Sequence, residues 1–273
     1  FNIPTIIYYI DVMFFRLTGI DALISRFFIK RKLMKLDPDD TTVFHLHNLH
    51  GYYFPLNLVS WINQFKCVWT LHDYWLLTRR CAFPGDCTGY FDNCDNCENR
   101  YKYPAVVFDV WDELNLKKRI VREYRGAFIS PSRYSRERAA QMNPEIKGKT
   151  RIINNSISPL FVYKDKNECK KEMNIPPERA VFSFVANILD DVNKNFLMFI
   201  EIFKTLFSNI PFSLIVCGKA RNKNTIRFLD QNRDYVIHFD YISDEEMLSV
   251  VYSASDIHIN CSQAETFGLT IIE

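Results

Sequence analysis

The sequence predicts an α/β protein with two domains, each a parallel sheet covered by helices. Short apolar runs alternate with amphipathic helical stretches over most of the 273 residues, which is typical of parallel sheets with crossover helices. A polar, proline-bearing stretch from Ser156 to Pro177 interrupts this pattern, and the length suits about two domains. We therefore expect domains at 1–160 and 161–273, with a cleft between them and ligands outside the carboxyl ends of the strands.

The expected strands are the short apolar runs, four in each half of the chain. These strands cover residues 42–47, 67–71, 127–129, 151–153, 181–186, 213–217, 235–239 and 256–261. A strong helix follows the fifth strand, because its apolar residues recur at helical spacing: Phe196, Phe199, Ile200, Phe203, Leu206, Phe207 and Ile210. Ser243 and Glu246 have the spacing of a capping box and predict the start of another helix.

Composition excludes several classes of protein. Lys and Arg number 34 against 32 Asp and Glu, and a net charge of +2 gives no reason to expect nucleic-acid binding. Neither G-x-G-x-x-G nor the P-loop pattern occurs, so a dinucleotide fingerprint and a P-loop are excluded within these residues. No apolar run approaches the roughly 20 residues of a spanning helix, and no leader precedes a cleavage site. We expect a cytoplasmic location.

Histidines stand at the ends of two neighbouring expected strands. FHLHNLHGYY places His45, His47 and His50 at the end of the first strand, and VWTLHDYW places His72 and Asp73 at the end of the second. Lone strand histidines are often structural, but two adjacent strand ends that both finish in histidine indicate a site.

Four of the eight cysteines crowd into one loop, CAFPGDCTGYFDNCDNC. Cys81, Cys87, Cys94 and Cys97 have the spacing C-x5-C-x6-C-x2-C, which favours a structural zinc site. Disulfides and a redox-active C-x-x-C are the alternatives, the last being disfavoured because no C-x-x-C follows a strand as in thioredoxins. The other cysteines lie apart, and Cys67, Cys217 and Cys261 are most simply small core residues.

Charged residues mark the ends of two strands in the second half. Lys194, in VANILDDVNKNF, precedes the strong helix, where a cation can meet a phosphate; a solvated loop lysine is the alternative. CSQAETFGLTIIE places Glu265 in a turn and Glu273 in the helix that starts after it. Carboxylates suit sugar hydroxyls because they offer several acceptor sites and no competing donor.

Taken together, these segments resemble the retaining glycosyltransferases of the GT-B fold, in the large group numbered GT4, especially the bacterial enzymes of capsular and exopolysaccharide assembly. The resemblance is carried by FHLHNLHGYY, VWTLHDYW, the four-cysteine loop, FISPSRYS, RIINNSIS and SASDIHINCSQAETFGLTIIE. It implies two Rossmann-like domains, both incomplete in this chain, and a hexosyltransferase-like activity of a longer enzyme that retains the anomeric configuration.

The resemblance also implies roles for single residues. His72 matches the histidine that faces the donor sugar, Lys194 the cation at the diphosphate, and Glu265 the carboxylate near the sugar; these three are the expected catalytic residues. Glu273 matches the glutamate at the ribose. The remaining donor-side positions are Asn187, Gly218, Thr266, Phe267, Gly268 and Leu269, and the acceptor-side positions are His47, His50 and Asp73.

The expected partners are a nucleotide diphosphate sugar and a glycan or lipid-linked acceptor, with no catalytic metal and any zinc structural. The basic, amphipathic opening stretch FFRLTGIDALISRFFIKRKLMKL favours a helix packed on the first sheet, and contact with an anionic membrane is the open alternative. The arginine that the family usually has beside Lys194 is absent, and Asn193 or Asn187 occupies the region. A non-catalytic nucleotide- or partner-binding module is therefore the second hypothesis.

Overall fold

The fold is α/β with two parallel sheets, as predicted. The protein is described from a computed structural model, which covers residues 5–20, 22, 24–51, 53–95, 97, 113–206 and 211–273. It divides into two compact units, Phe1–Asn154 and Asn155–Glu273. The division falls a little before the boundary expected from the sequence.

The first unit holds a four-stranded parallel sheet whose order in space follows the order in sequence. The strands are β1 (Val43–Leu46), β2 (Lys66–Thr70), β3 (Ala127–Ser130) and β4 (Thr150–Ile152). Since neighbouring strands run parallel, the carboxyl ends of β1 and β2 lie side by side, with Leu46 in register with Trp69. This arrangement brings the two histidine-bearing loops to one edge of the sheet.

Five α-helices of the described residues accompany this sheet: α1 (Thr5–Thr18), α2 (Ser25–Met34), α3 (Val59–Ile62), α4 (Glu113–Glu123) and α5 (Arg133–Met142). The start of α2 is fixed by the buried carboxylate of Asp11, which accepts hydrogen bonds from the backbone N–H groups of Ile24 and Ser25. Helix α5 begins with a capping box in which Ser132 and Ser135 bond each other's backbone N–H. The core between sheet and helices is rich in large side chains such as Trp69, Phe128 and Leu114.

The second unit holds a second parallel sheet, with the strand order β7-β6-β5-β8. Its strands are β5 (Ala180–Ile188), β6 (Phe212–Lys219), β7 (Val236–Phe239) and β8 (Ile257–His258). The chain builds outward from β5 on one side through β6 and β7, then returns to place β8 on the other side. The boundary between β5 and β8 is therefore a topological switch point, where loops diverge and leave room for a ligand.

The helices of this unit are α6 (Lys166–Glu172), α7 (Phe196–Leu206), α8 (Lys223–Gln231), α9 (Glu245–Ala254) and α10 (Leu269–Ile272). The predicted apolar face of α7 is confirmed: Phe199 stacks on Phe184 and Phe203 packs edge-on against Phe182. Phe207 and Ile210, which the pattern assigned to the same face, lie outside the described residues.

Two local predictions in this unit are wrong. Helix α9 is capped by Asp244, whose carboxylate accepts a hydrogen bond from the N–H of Glu246, and Ser243 lies one residue outside it. Strand β8 is shorter than 256–261. Its chain turns away after His258, where the side-chain oxygen of Asn260 accepts a hydrogen bond from the N–H of Ser262.

Within the part of the chain that the structure describes, every helix is too short or too polar to cross a bilayer.

Candidate functional site

The loops that follow β5 and β8 meet beside the switch point of the second sheet. Nζ of Lys194 lies 2.6 Å from Oε1 of Glu265, and both side chains are about 30% exposed, at 28% and 29%. Lys194 ends a short 3-10 turn that directly precedes α7, because Asn195 adopts a left-handed conformation between the two. The structure thus brings two of the expected catalytic residues into one partly open ion pair.

Asparagines clamp the two loops together. The side chain of Asn193 bonds both backbone groups of Ala264, donating to the carbonyl at 2.8 Å and accepting from the N–H at 3.0 Å. The side chain of Asn195 donates to the carbonyl of Cys261 at 3.0 Å. These contacts fix the turn that carries Glu265. Asn193 therefore has a positioning role in the structure, which the sequence did not indicate.

Glu273 has a partner of its own. The hydroxyl of Tyr252 on α9 donates a hydrogen bond of 3.0 Å to Oε2 of Glu273. Burial raises the pKa of the Glu273 carboxyl and Glu245 adds to the rise, while the Tyr252 hydrogen bond acts in the opposite direction. A half-buried carboxylate with one fixed donor has acceptor capacity left for a hydroxyl-bearing ligand. No pattern in the sequence marked Tyr252 as a residue of this site.

The other expected donor-side residues lie at the carboxyl ends of β5 and β6 and in the loop between β8 and α10. Asn187 is exposed at the end of β5, where the pairing with β6 shifts register. Gly218, at the end of β6, has a φ of +147°, and a Cβ there would stand 2.2 Å from the carbonyl oxygen of Ala186. Only glycine fits this close approach of the two strands. Thr266, Phe267 and Leu269 flank Gly268, whose left-handed conformation starts α10.

The expected histidines of the first unit form a cluster at the ends of β1 and β2. Nδ1 of His47 and Nε2 of His72 share a hydrogen bond of 2.9 Å, and their rings stack at 5.2 Å. Nε2 of His50 lies 2.7 Å from Oδ2 of Asp73. His45, which lies within β1, instead bonds the hydroxyl of Thr70.

The surroundings of the cluster favour the neutral form of its stacked pair. Burial lowers the pKa of His47, and the neighbouring His45 and His72 lower it further. Burial also lowers the pKa of His72, although Asp73 works in the opposite direction. Neutral imidazoles each offer one donor and one acceptor nitrogen, so the pair can take part in hydrogen bonding to a polar ligand.

The turn after this cluster is held by a buried lysine on α4. Lys117 is fully buried, and its Nζ donates to the carbonyls of Trp75, Thr78 and Arg79 at 2.9–3.2 Å. It also lies 2.9 Å from Oε1 of Glu113. This network ties the residues between Asp73 and the cysteine loop to the helix. Lys117 was not recognised in the sequence because nothing in its neighbourhood distinguishes it from a solvated lysine.

The four loop cysteines are free thiols that line one cavity of about 630 Å³. Burial raises the pKa of Cys81 to about 11, and Cys97 adds to the rise. As they are placed, no three His, Cys, Asp or Glu side chains of the described residues are arranged to hold a metal ion. Proximity of the four thiols is thus found, while the predicted zinc coordination is not supported by their placement.

Comparison with known proteins finds a family match within the second unit. Residues 165–273 match the family model for glycosyl transferases group 1. Over 127 residues the chain is 36% identical to the putative colanic acid biosynthesis glycosyl transferase WcaC of Escherichia coli K12, an alignment that covers 42% of this chain and 31% of WcaC.

Solved structures are similar over most of the chain. The sucrose-phosphate synthase of Thermosynechococcus elongatus aligns with a TM-score of 0.61 and 18% identity, over 90% of this chain and 56% of that one. The Anabaena protein HepE, solved in complex with UDP, aligns with a TM-score of 0.59 and 14% identity, over 89% and 59%. These likenesses confirm the predicted GT-B fold class, and the chain spans well under two thirds of each relative. The part of the chain that matches the group 1 family model contains Lys194, Glu265 and Glu273.

Proposed function

We propose that the protein transfers a sugar from a nucleotide diphosphate sugar to an acceptor hydroxyl, with retention at the anomeric carbon. The observation that carries this proposal is the ion pair of Lys194 with Glu265 at the switch point of a group 1 domain. In the reaction, the bond between the anomeric carbon and the diphosphate oxygen breaks. The acceptor oxygen forms the new bond, and its proton leaves with the diphosphate.

Lys194 stabilises the leaving diphosphate. Negative charge grows on the diphosphate as its bond to the sugar breaks, so a fixed cation contributes more in the transition state than in the bound substrate. In the structure this cation is paired with Glu265. A diphosphate offers more charge and more acceptor oxygens than one carboxylate, and we expect it to compete with Glu265 for the ammonium group.

The two glutamates recognise hydroxyls at different places on the donor. Glu265, released from part of its ion pair, accepts hydrogen bonds from the sugar, beside the backbone of residues 266–269. Glu273 accepts from the ribose diol, oriented by Tyr252. Asn187 and Gly218, at the carboxyl ends of adjacent strands, complete the donor side.

The first unit serves the acceptor and the sugar. We assign His72 to the donor sugar, and His47, His50 and Asp73 to the acceptor side. The support is that these four residues lie together at one edge of the first sheet. One hydrogen bond joins His47 to His72, and another joins His50 to Asp73. This proposal requires no divalent metal at the donor, and a structural metal, if held, belongs to the cysteine loop.

The acceptor is a glycan or a lipid-linked glycan of surface polysaccharide synthesis, a proposal supported by the likeness to WcaC. A peripheral position on the inner face of the membrane would suit a lipid-linked acceptor. It is supported by α2, which exposes Phe27 and Phe28 beside exposed Lys30 and Arg31. Co-sedimentation with anionic but not zwitterionic vesicles tests it, and no difference between the two lipids would contradict it.

The transfer reaction is tested by incubating the protein that carries this chain with candidate donors and following released nucleoside diphosphate. UDP-sugars are the first probes, because HepE and the pneumococcal O-GlcNAc transferase GtfA were solved with UDP. NMR of the product's anomeric proton distinguishes retention from inversion. Release that depends on Glu265 supports the proposal, and release unchanged in Glu265→Ala contradicts it.

The second hypothesis is a non-catalytic module that binds a nucleotide or a partner. It is favoured by Asn193, which stands in the region of the usual arginine and whose side chain is bonded to Ala264. Under this hypothesis a nucleotide binds, but no donor is transferred or hydrolysed. The release assay, run beside a calorimetric titration of the same sample with UDP, separates the two: binding without release favours the module, and release favours the transferase.

A further inference from the structure

The segment between β4 and α6 lies along helix α9 and is bonded to two serines of that helix. The hydroxyl of Ser249 donates a hydrogen bond of 2.9 Å to the carbonyl of Val162. Two positions further along the segment, the N–H of Lys164 donates to Oγ of Ser253 at 3.2 Å. Serine hydroxyls inside a helix often bond the helix's own backbone, whereas these two bond the backbone of the segment. The segment thus has a fixed place on α9.

One large apolar side chain of this segment turns toward the protein. Phe161 is half-buried, whereas its apolar neighbours are exposed: Ile157, Leu160, Val162 and Tyr163. The ring of Phe161 lies 6.1 Å from the ring of Tyr252. Tyr252 shares one face of α9 with the two serines, because residues three and four positions apart are neighbours on a helix surface. The bonds to the serines therefore bring Phe161 to Tyr252.

Tyr252 contacts a second ring and reaches Glu273 with its hydroxyl. The ring of His258 makes a T-shaped contact with Tyr252, at 5.2 Å and 84°. Burial raises the pKa of Tyr252 and Glu273 raises it further, so the hydroxyl keeps its proton and acts as a donor. It donates the hydrogen bond of 3.0 Å to Oε2 of Glu273. Contacts therefore run without a break from Phe161 through Tyr252 to Glu273.

The two ring contacts determine where the Tyr252 hydroxyl points. A tyrosine side chain has two rotatable bonds, and a single hydrogen bond at its tip restricts both of them less than packing along the ring does. His258 is itself held, because its Nδ1 shares a hydrogen bond of 3.2 Å with the hydroxyl of the fully buried Ser183. Removing the ring of Phe161 removes the other contact. Tyr252 then gains freedom to turn away from Glu273.

From these contacts we propose that Phe161 is a positioning residue of the donor site, which acts on Glu273 through Tyr252. The ring of Phe161 keeps the Tyr252 hydroxyl on one oxygen of the Glu273 carboxylate. The carboxylate is then turned to accept hydrogen bonds from the ribose diol. This inference rests on the proposed function, in which Glu273 binds the ribose. Its consequence is that the segment between β4 and α6 contributes to donor affinity through α9.

The ribose hydroxyls supply the measurement, because a general loss of stability would weaken the binding of every nucleotide alike. UDP and 2′-deoxy-UDP differ by one hydroxyl of the diol that Glu273 is proposed to bind. A hydrogen bond to a charged group is absent from the deoxy complex, so the original protein should bind UDP roughly 10- to 100-fold more tightly. Calorimetric titration measures this ratio of affinities. GDP and ADP are titrated beside their deoxy forms in the same way.

Phe161→Ala should lower this ratio by about 2- to 10-fold, the range expected for one aromatic contact. Phe161→Leu keeps most of the apolar volume, should restore part of the ratio, and carries the test if the alanine variant does not fold. The matched control is Tyr163→Ala, which changes a side chain that is 83% exposed and should keep the original ratio. A ratio unchanged in both Phe161 variants would overturn the inference alone. Equal affinities in the original protein would instead contradict the proposed ribose contact of Glu273.

A second measurement needs no nucleotide. NMR titration of the protein with ¹³C-labelled glutamate carboxyls follows the pKa of Glu273, whose signal is identified by its loss in Glu273→Gln. The Tyr252 hydrogen bond lowers this pKa, so Tyr252→Phe should raise it, and both Phe161 variants should raise it in part. Tyr163→Ala should leave it at the original value. No rise in the Phe161 variants, or none in Tyr252→Phe, would show that Phe161 does not act on Glu273 through Tyr252 and would overturn the inference.

Discussion

Nζ of Lys194 lies 2.6 Å from Oε1 of Glu265, although 71 positions separate the two residues in sequence. The strand order explains this contact: β5 and β8 are neighbours, so the loops at their carboxyl ends share the switch point of the sheet. The asparagines on either side of Lys194, Asn193 and Asn195, hold the two loops together. The proposed sugar transfer depends on this contact more than on any other in the site.

Replacing Lys194 by alanine should weaken binding of a nucleoside diphosphate and leave a nucleoside monophosphate nearly unaffected. One charge-assisted hydrogen bond contributes about 1.5–3 kcal/mol, so the expected loss is roughly 10- to 100-fold. Calorimetric titration with UDP and UMP measures both affinities. Lys171→Ala, at an exposed site on α6, is the control and should match the original protein. Equal losses for UDP and UMP would contradict contact of Lys194 with the second phosphate.

Gly218→Ala should destabilise the second unit. Its Cβ would stand 2.2 Å from the backbone carbonyl of Ala186, at a φ of +147°, so β5 and β6 must move apart. We expect a loss of roughly 2–4 kcal/mol in the free energy of unfolding. Gly148→Ala is the matched control, because nothing lies within 4 Å of its Cβ position. Equal stability of the two variants in urea unfolding would show that the strands are not so close.

Lys117→Met should be among the most destabilising single changes in the first unit. It leaves Glu113 with Arg80 at the longer distance of 3.9 Å, and removes the donor to three carbonyls. Removing one partner of a buried ion pair costs about 3–5 kcal/mol. Urea unfolding measures this loss, with Arg119→Ala, an exposed change on the same helix, expected within about 0.5 kcal/mol of the original. A loss as small as that of the control would contradict the buried network.

The histidine cluster should make stability depend on pH. His47 and His72 have pKa values below 6.5 in the folded protein, so the unfolded chain takes up protons first as the pH falls. Their contribution is therefore complete above pH 6.5 and is lost progressively below it. The free energy of unfolding should fall between pH 7.5 and about 5.5, with a flatter profile in His47→Asn/His72→Asn. An equally steep profile in the double variant would assign the effect to other groups.

Glu273→Gln should stabilise the protein at neutral pH. The raised pKa of Glu273 means that the folded state holds this proton more tightly than the unfolded state. Ionisation therefore costs stability, and the cost appears as the pH rises above the ordinary value of 4.5 and through the raised value. The difference between variant and original should vanish in acid and grow toward pH 7. A difference independent of pH would show that the carboxyl does not titrate abnormally.

Much of the fold could be predicted because its signals are local. The strands follow apolar runs, and the phenylalanines of α7 recur at helical spacing, so both were found close to their observed positions. The cap of α9 was missed by one residue because Ser243 and Asp244 are both good N-cap residues. Strand β8 was predicted too long because apolar periodicity does not register the turn made by Asn260.

The candidate site was predictable only in part. Lys194 and Glu265 stand at strand ends, and topology brings such residues together. Tyr252, Asn195 and Lys117 escaped notice because each acts through a tertiary contact that leaves no mark on its own neighbourhood. Likewise, the spacing of the cysteines indicated that they cluster, but no spacing determines the distances between their sulfurs.

The most direct test of the central claim is the thermal stabilisation of the protein by a panel of nucleoside diphosphates and nucleotide sugars. The account predicts that at least one nucleotide sugar raises the melting temperature, and that Lys194→Ala and Glu273→Ala each reduce the rise while Lys171→Ala does not. If no nucleotide sugar stabilises the protein, or if the rise is unchanged in both site variants, the proposed donor site is wrong.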